Sequence, residues 1–186
     1  MFGTDSSRAT VLLYEHARRI VATMEYVIRR ATTADVGQLV GLRSEFTFED
    51  VEPDERTTRP DYAADCRAFL ENALEDGTWQ IWVAEADGSI VAHVFVALVD
   101  KMPRPIRENR KIAYLTNVYT RPSHRDQGIG SQLIEEAQRA ATQEGVELMI
   151  VWPSGASLPF YARHGFGTPT EPLIWKPAED PPPPAQ

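Results

Sequence analysis

At 186 residues, 42% of them hydrophobic, the chain can bury one good core and is read as one domain with ragged ends. A formal charge of −8 with no basic block excludes nucleic acid and an anionic membrane as expected partners and favours a cationic one. The lone cysteine, Cys66, rules out an internal disulfide and suits a reducing compartment, so a cytoplasmic location is expected.

Residues 1–23 form an N-terminal extension. Its apolar run, Val11-Leu12-Leu13-Tyr14, is too brief for a membrane span and is followed by no small-residue cleavage site, so no export signal is read. Val11, Tyr14, Ala17, Arg18 and Val21 have a partly helical spacing, which leaves open an added helix or a loose piece. Met24 is an alternative start, and the domain proper is assigned to residues 24–176. Residues 26–30 alternate as a strand, and Thr32 or Thr33 then caps a helix carrying Val36, Leu39, Val40 and Leu42. The acidic run 45–55, broken by Pro53, is too charged to be a core element. A helix over 62–74 follows, with Cys66 in a packing role. Residues 79–86 and 89–99 read as antiparallel strands joined by an Asp87-Gly88 turn, and 101–111 as a basic, proline-containing loop.

The pattern then changes to strand (112–121), helix (128–144) and strand (146–152). The helix places Ile129, Leu133, Ile134, Ala137 and Ala141 on one face and Glu135, Glu136, Gln138 and Arg139 on the other, with Gly145 as its stop. An apolar strand entered through a crossover helix predicts parallel pairing, buried on both faces. Pro153 ends it, Ser157 caps a short helix running to His164, and 172–175 is a last strand. The segment 177–186, with four consecutive prolines, is expected to be a solvated, polyproline-like tail.

The helix opening Arg125-Asp126-Gln127-Gly128-Ile129-Gly130 reads as a phosphate cradle. The first N–H groups of a helix have no partner within it and sit at the positive end of its dipole, so an anion docks there. Glycines admit phosphate oxygens close to the backbone, and Arg125 can add a charge-assisted hydrogen bond. A Walker A loop is excluded, since one residue separates Gly128 from Gly130 and no Lys-Ser or Lys-Thr follows. The dinucleotide fingerprint fails at Leu133, where a third small residue belongs, and no acidic residue closes the next strand.

The spacing R-x-x-G-x-G after a strand, joined downstream by Phe160-Tyr161-Ala162-Arg163-His164-Gly165-Phe166, resembles the GNAT superfamily of acetyl-CoA-dependent N-acetyltransferases over roughly residues 26–175. That resemblance implies an α/β (α+β) fold: a mixed, mostly antiparallel central sheet with a parallel strand pair at the CoA cleft, flanked by helices. It implies acetyl-CoA as co-substrate with no metal, and a central strand, Tyr114 to Thr120, pairing with the pantetheine arm through Val118, Tyr119 and Thr120. The turn formed by Arg125, Asp126, Gln127, Gly128, Ile129, Gly130 and Ser131 would hold the pyrophosphate. Many relatives carry Asn after the following strand; here Pro153-Ser154-Gly155-Ala156-Ser157 stands there, so Ser154 or Ser157 would take over that pantetheine contact.

Direct acyl transfer to an amine needs no enzyme nucleophile, and His16, His93, His124 and His164 have no metal-ligand spacing; His124 lies nearest the phosphate turn. The resemblance puts the Tyr161 phenol beside the thioester sulfur, as donor to the departing thiolate. A backbone N–H around Val118 to Thr120 would serve the oxyanion. An ammonium acceptor must lose a proton, for which Glu45, Glu49 and Asp50 of the acidic run are candidates, with Thr116 and Asn117 able to order a water. Trp152 and Phe160 either line the cleft or pack in the core. The expected activity is acetyl transfer to a primary amine of a cationic small molecule or peptide. The alternative is a catalytically silent acyl-CoA sensor or scaffold on the same fold. A homodimer is compatible with this fold, the N-terminal extension being its candidate contact.

Overall fold

The computed structural model of the protein describes residues 25–49, 51–105 and 111–167. The expectations for the N-terminal extension, Met24, Asp50, the interior of the basic loop, the strand at 172–175 and the proline-rich tail lie outside these residues. The chain divides into two compact units after Trp152.

The first unit contains β1 (Tyr26–Arg30), α1 (Val36–Thr47), α2 (Tyr62–Asp76), β2 (Trp79–Ala86), β3 (Ser89–Asp100), β4 (Lys111–Thr120), α3 (Ile129–Gln143) and β5 (Val146–Val151). The strands form one sheet in the order β1-β2-β3-β4-β5, antiparallel up to β4 and parallel between β4 and β5. The fold is therefore the expected mixed sheet flanked by helices. Asp87 (φ 49°) and Gly88 (φ 72°) are both left-handed, which gives a two-residue hairpin the twist that its strands require. The parallel pair needs a crossover, and α3 supplies it, burying Ile129, Leu133, Ile134, Ala137, Ala140 and Ala141 along one stripe.

Alternation along the strands builds two layers. Ile81, Val83, Phe95 and Tyr119 face α1 and α2, where they pack with Val36, Leu39, Leu42 and Leu70 in one core cluster. The alternate positions, among them Val94, Val96, Ala113 and Leu115, are buried on the opposite face. Each fully buried leucine or isoleucine in these layers contributes about 1.5–3 kcal/mol. Cys66 is a free thiol, partly buried against the α1–α2 cluster, as expected of a packing residue.

Two expectations are corrected. The acidic run does not lie wholly outside the core: α1 continues through Glu45, Phe46 and Thr47, because Phe46 packs on Tyr119 with ring centroids 5.5 Å apart. The charges at 45 and 49 flank this apolar contact and lie toward solvent. β5 does pair in parallel with β4, but Glu147 and Leu148 are exposed. Among the described residues β5 is the last strand of the sheet, so neighbouring elements cover only part of it.

Thr32 stands at the cap before Thr33–Asp35, a single 3-10 turn leading into α1. Asp35, three residues on, accepts the Thr32 N–H at 2.7 Å and, through both carboxylate oxygens, the Arg29 guanidinium at 2.7 Å. Arg29 also bonds Glu85 of β2, so one buried carboxylate ties β1, β2 and the start of α1 together. Hydrogen bonds from Arg29 hold the Asp35 carboxyl down at about 2, against an ordinary value of 3.8. A depressed carboxyl pKa stabilises the fold above the unfolded value and loses that contribution as pH falls through the folded one. Acid titration should therefore show stability falling between about pH 4 and 2. Asp35→Ala, which strands Arg29, should cost about 3 kcal/mol at neutral pH and flatten that acid limb, as urea denaturation across pH would show.

Candidate functional site

β4 has hydrogen-bonding partners on both sides only in its first half. Its pairing with β5 ends at Leu115 opposite Val151, whereas its pairing with β3 runs on to Thr120 opposite Ala92. Pro153, which has no N–H, follows directly after Trp152 and prevents β5 from continuing. Residues 116–120 thus form a strand segment about 15 Å long with which β5 does not pair. This segment includes Val118, Tyr119 and Thr120. The Tyr119 side chain is buried under α1, so only its backbone is available.

The segment contains a bulge. His93 is opposite Tyr119 and Phe95 is opposite Thr116, so Val94 alone faces both Asn117 and Val118. Asn117 has φ 49°, a left-handed conformation that asparagine tolerates better than most residues. A bulge leaves the extra residue out of the ladder and re-aims the backbone at that point. The Asn117 carbonyl oxygen accepts a 2.7 Å hydrogen bond from His93 Nδ1.

β4 runs directly into the expected phosphate turn. After Arg121 and a 3-10 turn at Pro122–His124, Asp126 (φ 60°) and Gly128 (φ 80°) reverse the chain into α3. The first helical bond runs from the Gln132 N–H to the Gly128 carbonyl at 3.1 Å, so the amides of Ile129 and Gly130 precede the helical ladder. Ile129 is buried and anchors the turn, while a Cβ added to Gly128 would meet no heavy atom within 4 Å. Gln127 Nε2 donates to the Ser123 carbonyl at 3.4 Å, and Ser131 lies in the first turn of α3. His124 Nδ1 pairs with the Ser123 hydroxyl at 2.8 Å.

Arg125 makes several contacts within the protein. Its Nε donates to the Thr120 carbonyl at 2.9 Å, and its guanidinium lies over the Tyr119 ring and ion-pairs with Glu49. Arg121 makes a two-pronged bond to Glu45, at 2.8 and 2.7 Å. Two of the three acidic candidates for a base are thus held by Arg121 and Arg125, the arginines that lead into the glycine turn. The local signal was the charge run, but its partners lie about 76 positions further along the chain.

The second unit begins with a 3-10 turn, Gly155–Ser157, followed by α4 (Leu158–Arg163). Ser157 occupies the cap position without capping: its hydroxyl donates to the Ser154 carbonyl at 3.0 Å and accepts from the Ser154 hydroxyl at 3.1 Å. The downstream motif has a plain physical basis. The Phe166 N–H bonds the Tyr161 carbonyl at 3.1 Å, the Gly165 N–H bonds the Ala162 carbonyl at 3.2 Å, and Gly165 has φ 81°. That is a Schellman cap, in which Gly165 supplies the left-handed residue and Phe166 packs edge-on against Tyr161 at 5.6 Å. Phe160 also packs edge-on against Tyr161, at 5.3 Å. Burial pushes the Tyr161 phenol above its ordinary pKa, so it keeps its proton. Trp152 is exposed and stacks edge-on on Tyr114 at 5.2 Å, outside the core.

Among the described residues no cluster of three His, Cys, Asp or Glu side chains could hold a metal ion, and no helix is long and apolar enough to cross a membrane.

A strand segment unpaired with β5 and leading to a glycine turn at a helix start fits a long ligand with an extended amide-bearing arm and a phosphate group. Comparison with known proteins agrees. The family model described as "Acetyltransferase (GNAT) family" matches residues 38–166. No curated protein matches the sequence. Among solved structures, the chain is similar to a protein of Clostridium acetobutylicum described as a predicted acetyltransferase with acetyl-CoA. Their identity is 22% and the TM-score 0.67, with 82% of this chain and 96% of that one covered. A GCN5-related N-acetyltransferase of Ralstonia eutropha JMP134 is similar at 26% identity and TM-score 0.63, covering 82% and 98%. Glucosamine-6-phosphate N-acetyltransferase of Arabidopsis thaliana shares the fold at 17% identity and TM-score 0.63, with the same coverage of 82% and 98%.

Proposed function

The chain belongs to the GNAT acetyltransferase family, and from that premise we propose that it transfers an acetyl group from acetyl-CoA directly to a primary amine of a cationic small molecule or peptide. The observation that carries this reading is the continuity of one strand. Bulge, unpaired edge and glycine turn follow one another along β4 and its exit, in the order that an acyl group, its pantetheine arm and the pyrophosphate would need.

Acetyl-CoA, when bound, supplies the activated thioester. The amides of residues 118–120 hold the pantetheine arm, and the bulge directs a backbone N–H toward the acyl carbonyl, where negative charge develops. Amides at Gly128, Ile129 and Gly130 hold the pyrophosphate. Tyr161 keeps a proton on its oxygen for the departing sulfur. Ser154 and Ser157, bonded to each other, stand where relatives place an asparagine. Glu45 and Glu49 fix the end of α1 against the phosphate turn through their ion pairs with Arg121 and Arg125, and the ammonium proton leaves to solvent. The acidic stretch that follows α1 gives the acceptor side a negative field.

Attraction of the acceptor by that field predicts at least about tenfold higher kcat/KM for cationic than for neutral amines of similar size, shrinking as ionic strength rises. Steady-state assays over an amine panel at two salt concentrations check this; equal turnover of both classes would remove the acceptor assignment. The engaged carboxylates favour one second reading, an acyl-CoA-binding protein without turnover. It would show as acetyl-CoA affinity with no acetyl transfer to any amine in the panel.

A further inference from the structure

The mechanism above makes no use of His93, although it is fully buried and touches the bulge. It lies on β3 between the rings of Phe95 (5.0 Å between centroids) and Tyr119 (5.9 Å). We infer that His93 is a positioning residue: its Nδ1–H pins the Asn117 carbonyl and so holds the β4 bulge in the conformation that aims a backbone amide at the acyl carbonyl. This rests on the acetyl-CoA reading proposed above.

The tautomer follows from the partner. A carbonyl oxygen only accepts, so Nδ1 carries the proton in this bond. Burial drives the imidazole down to about 4, leaving it neutral with a single N–H, although Glu45 and Arg43 of α1 both act on it. The second nitrogen, Nε2, is buried without a partner. An orphaned buried acceptor is costly, and an apolar ring here would avoid that cost. Within this pocket the imidazole has one bond to offset it, and that bond goes to the residue with the left-handed backbone. Asn117 at φ 49° has a less strained alternative in the extended region, which would draw the bulge back toward a regular ladder. The bond to His93 opposes that relaxation by fixing the direction of the carbonyl.

Calorimetric titration of acetyl-CoA and of free CoA into wild type, His93→Phe, His93→Asn and His93→Gln separates the possibilities. Both ligands share the pantetheine and phosphate contacts, and only acetyl-CoA has the carbonyl that the bulge would meet. The ratio of the two dissociation constants should change about 3- to 10-fold in His93→Phe, with CoA affinity itself little altered. His93→Asn places an amide N–H where Nδ1 was and should restore the ratio, whereas His93→Gln, which reaches the Nε2 position, should not. If His93→Phe does not fold, the Asn and Gln variants decide the matter by the same criterion. Equal loss of both affinities, or an unchanged ratio in every folded variant, would overturn the inference while leaving the acetyl-CoA site standing. Absence of binding of either ligand to wild type would overturn the acetyl-CoA reading and the inference with it.

Discussion

Gly128→Glu is expected to weaken acetyl-CoA binding by about a thousandfold or more, to the point where calorimetry registers no heat. Three effects compete to set the size. Protein sterics contribute little, because a Cβ at this position meets no heavy atom within 4 Å. Backbone strain contributes about 1–2 kcal/mol, since residue 128 sits at φ 80° and any side chain resists that conformation. The charge dominates: a carboxylate about 4 Å from a pyrophosphate oxygen is repelled by about 4 kcal/mol at an effective dielectric constant of 20. Gly128→Ala carries the strain without the charge and should lose only about tenfold. If Ala and Glu were equally damaging, backbone geometry would be the deciding factor. If Glu had no effect, the turn would not be the phosphate site.

Tyr161→Phe should lower kcat by about a hundredfold or more while leaving acetyl-CoA affinity within about threefold. Phe keeps the edge-on stacks with Phe160 and Phe166 and the Schellman cap, so the unit should stay folded and only the phenolic proton is lost. The sign of the pH dependence is also set. Burial raises the pKa of the Tyr161 phenol, so the protonated form persists to higher pH and wild-type activity should decline only above the ordinary phenol value of about 10. That alkaline decline should be absent in Tyr161→Phe. A variant with unchanged kcat would reduce Tyr161 to a packing residue.

The parts of the molecule legible in the sequence were those whose physics is local. Asp87-Gly88 announced its hairpin because both positions need left-handed backbone, and α3 announced itself through a stripe of apolar residues at helical spacing. The glycine turn into α3 was readable for the same reason: its glycine, its preceding strand and its helix are contiguous. What escaped was decided by partners far along the chain. Nothing near Glu45 or Glu49 indicates that arginines 76 residues later will hold them, and Phe46 extends α1 into the acidic run because Tyr119 lies beneath it. The bulge had a faint local sign in Asn117, a residue suited to left-handed backbone in the middle of a β pattern. The His93 bond had none, because a histidine between apolar neighbours reads as simple packing. β5 misled because an apolar run shows that a strand exists without showing how many neighbours it has.

A helix of six residues is too short to hold itself together in water, since nucleation alone outweighs the few hydrogen bonds it closes. The angular precision of the Tyr161 phenol is therefore borrowed from the stop signal that follows it: Gly165 turns the chain, Phe166 folds back onto the tyrosine ring, and together they leave the side chain few conformers to explore. Gly165 and Phe166 thus act as the stiffener of the side chain that precedes them, so its orientation can be altered by substitutions at 165 and 166 that leave the tyrosine itself in place.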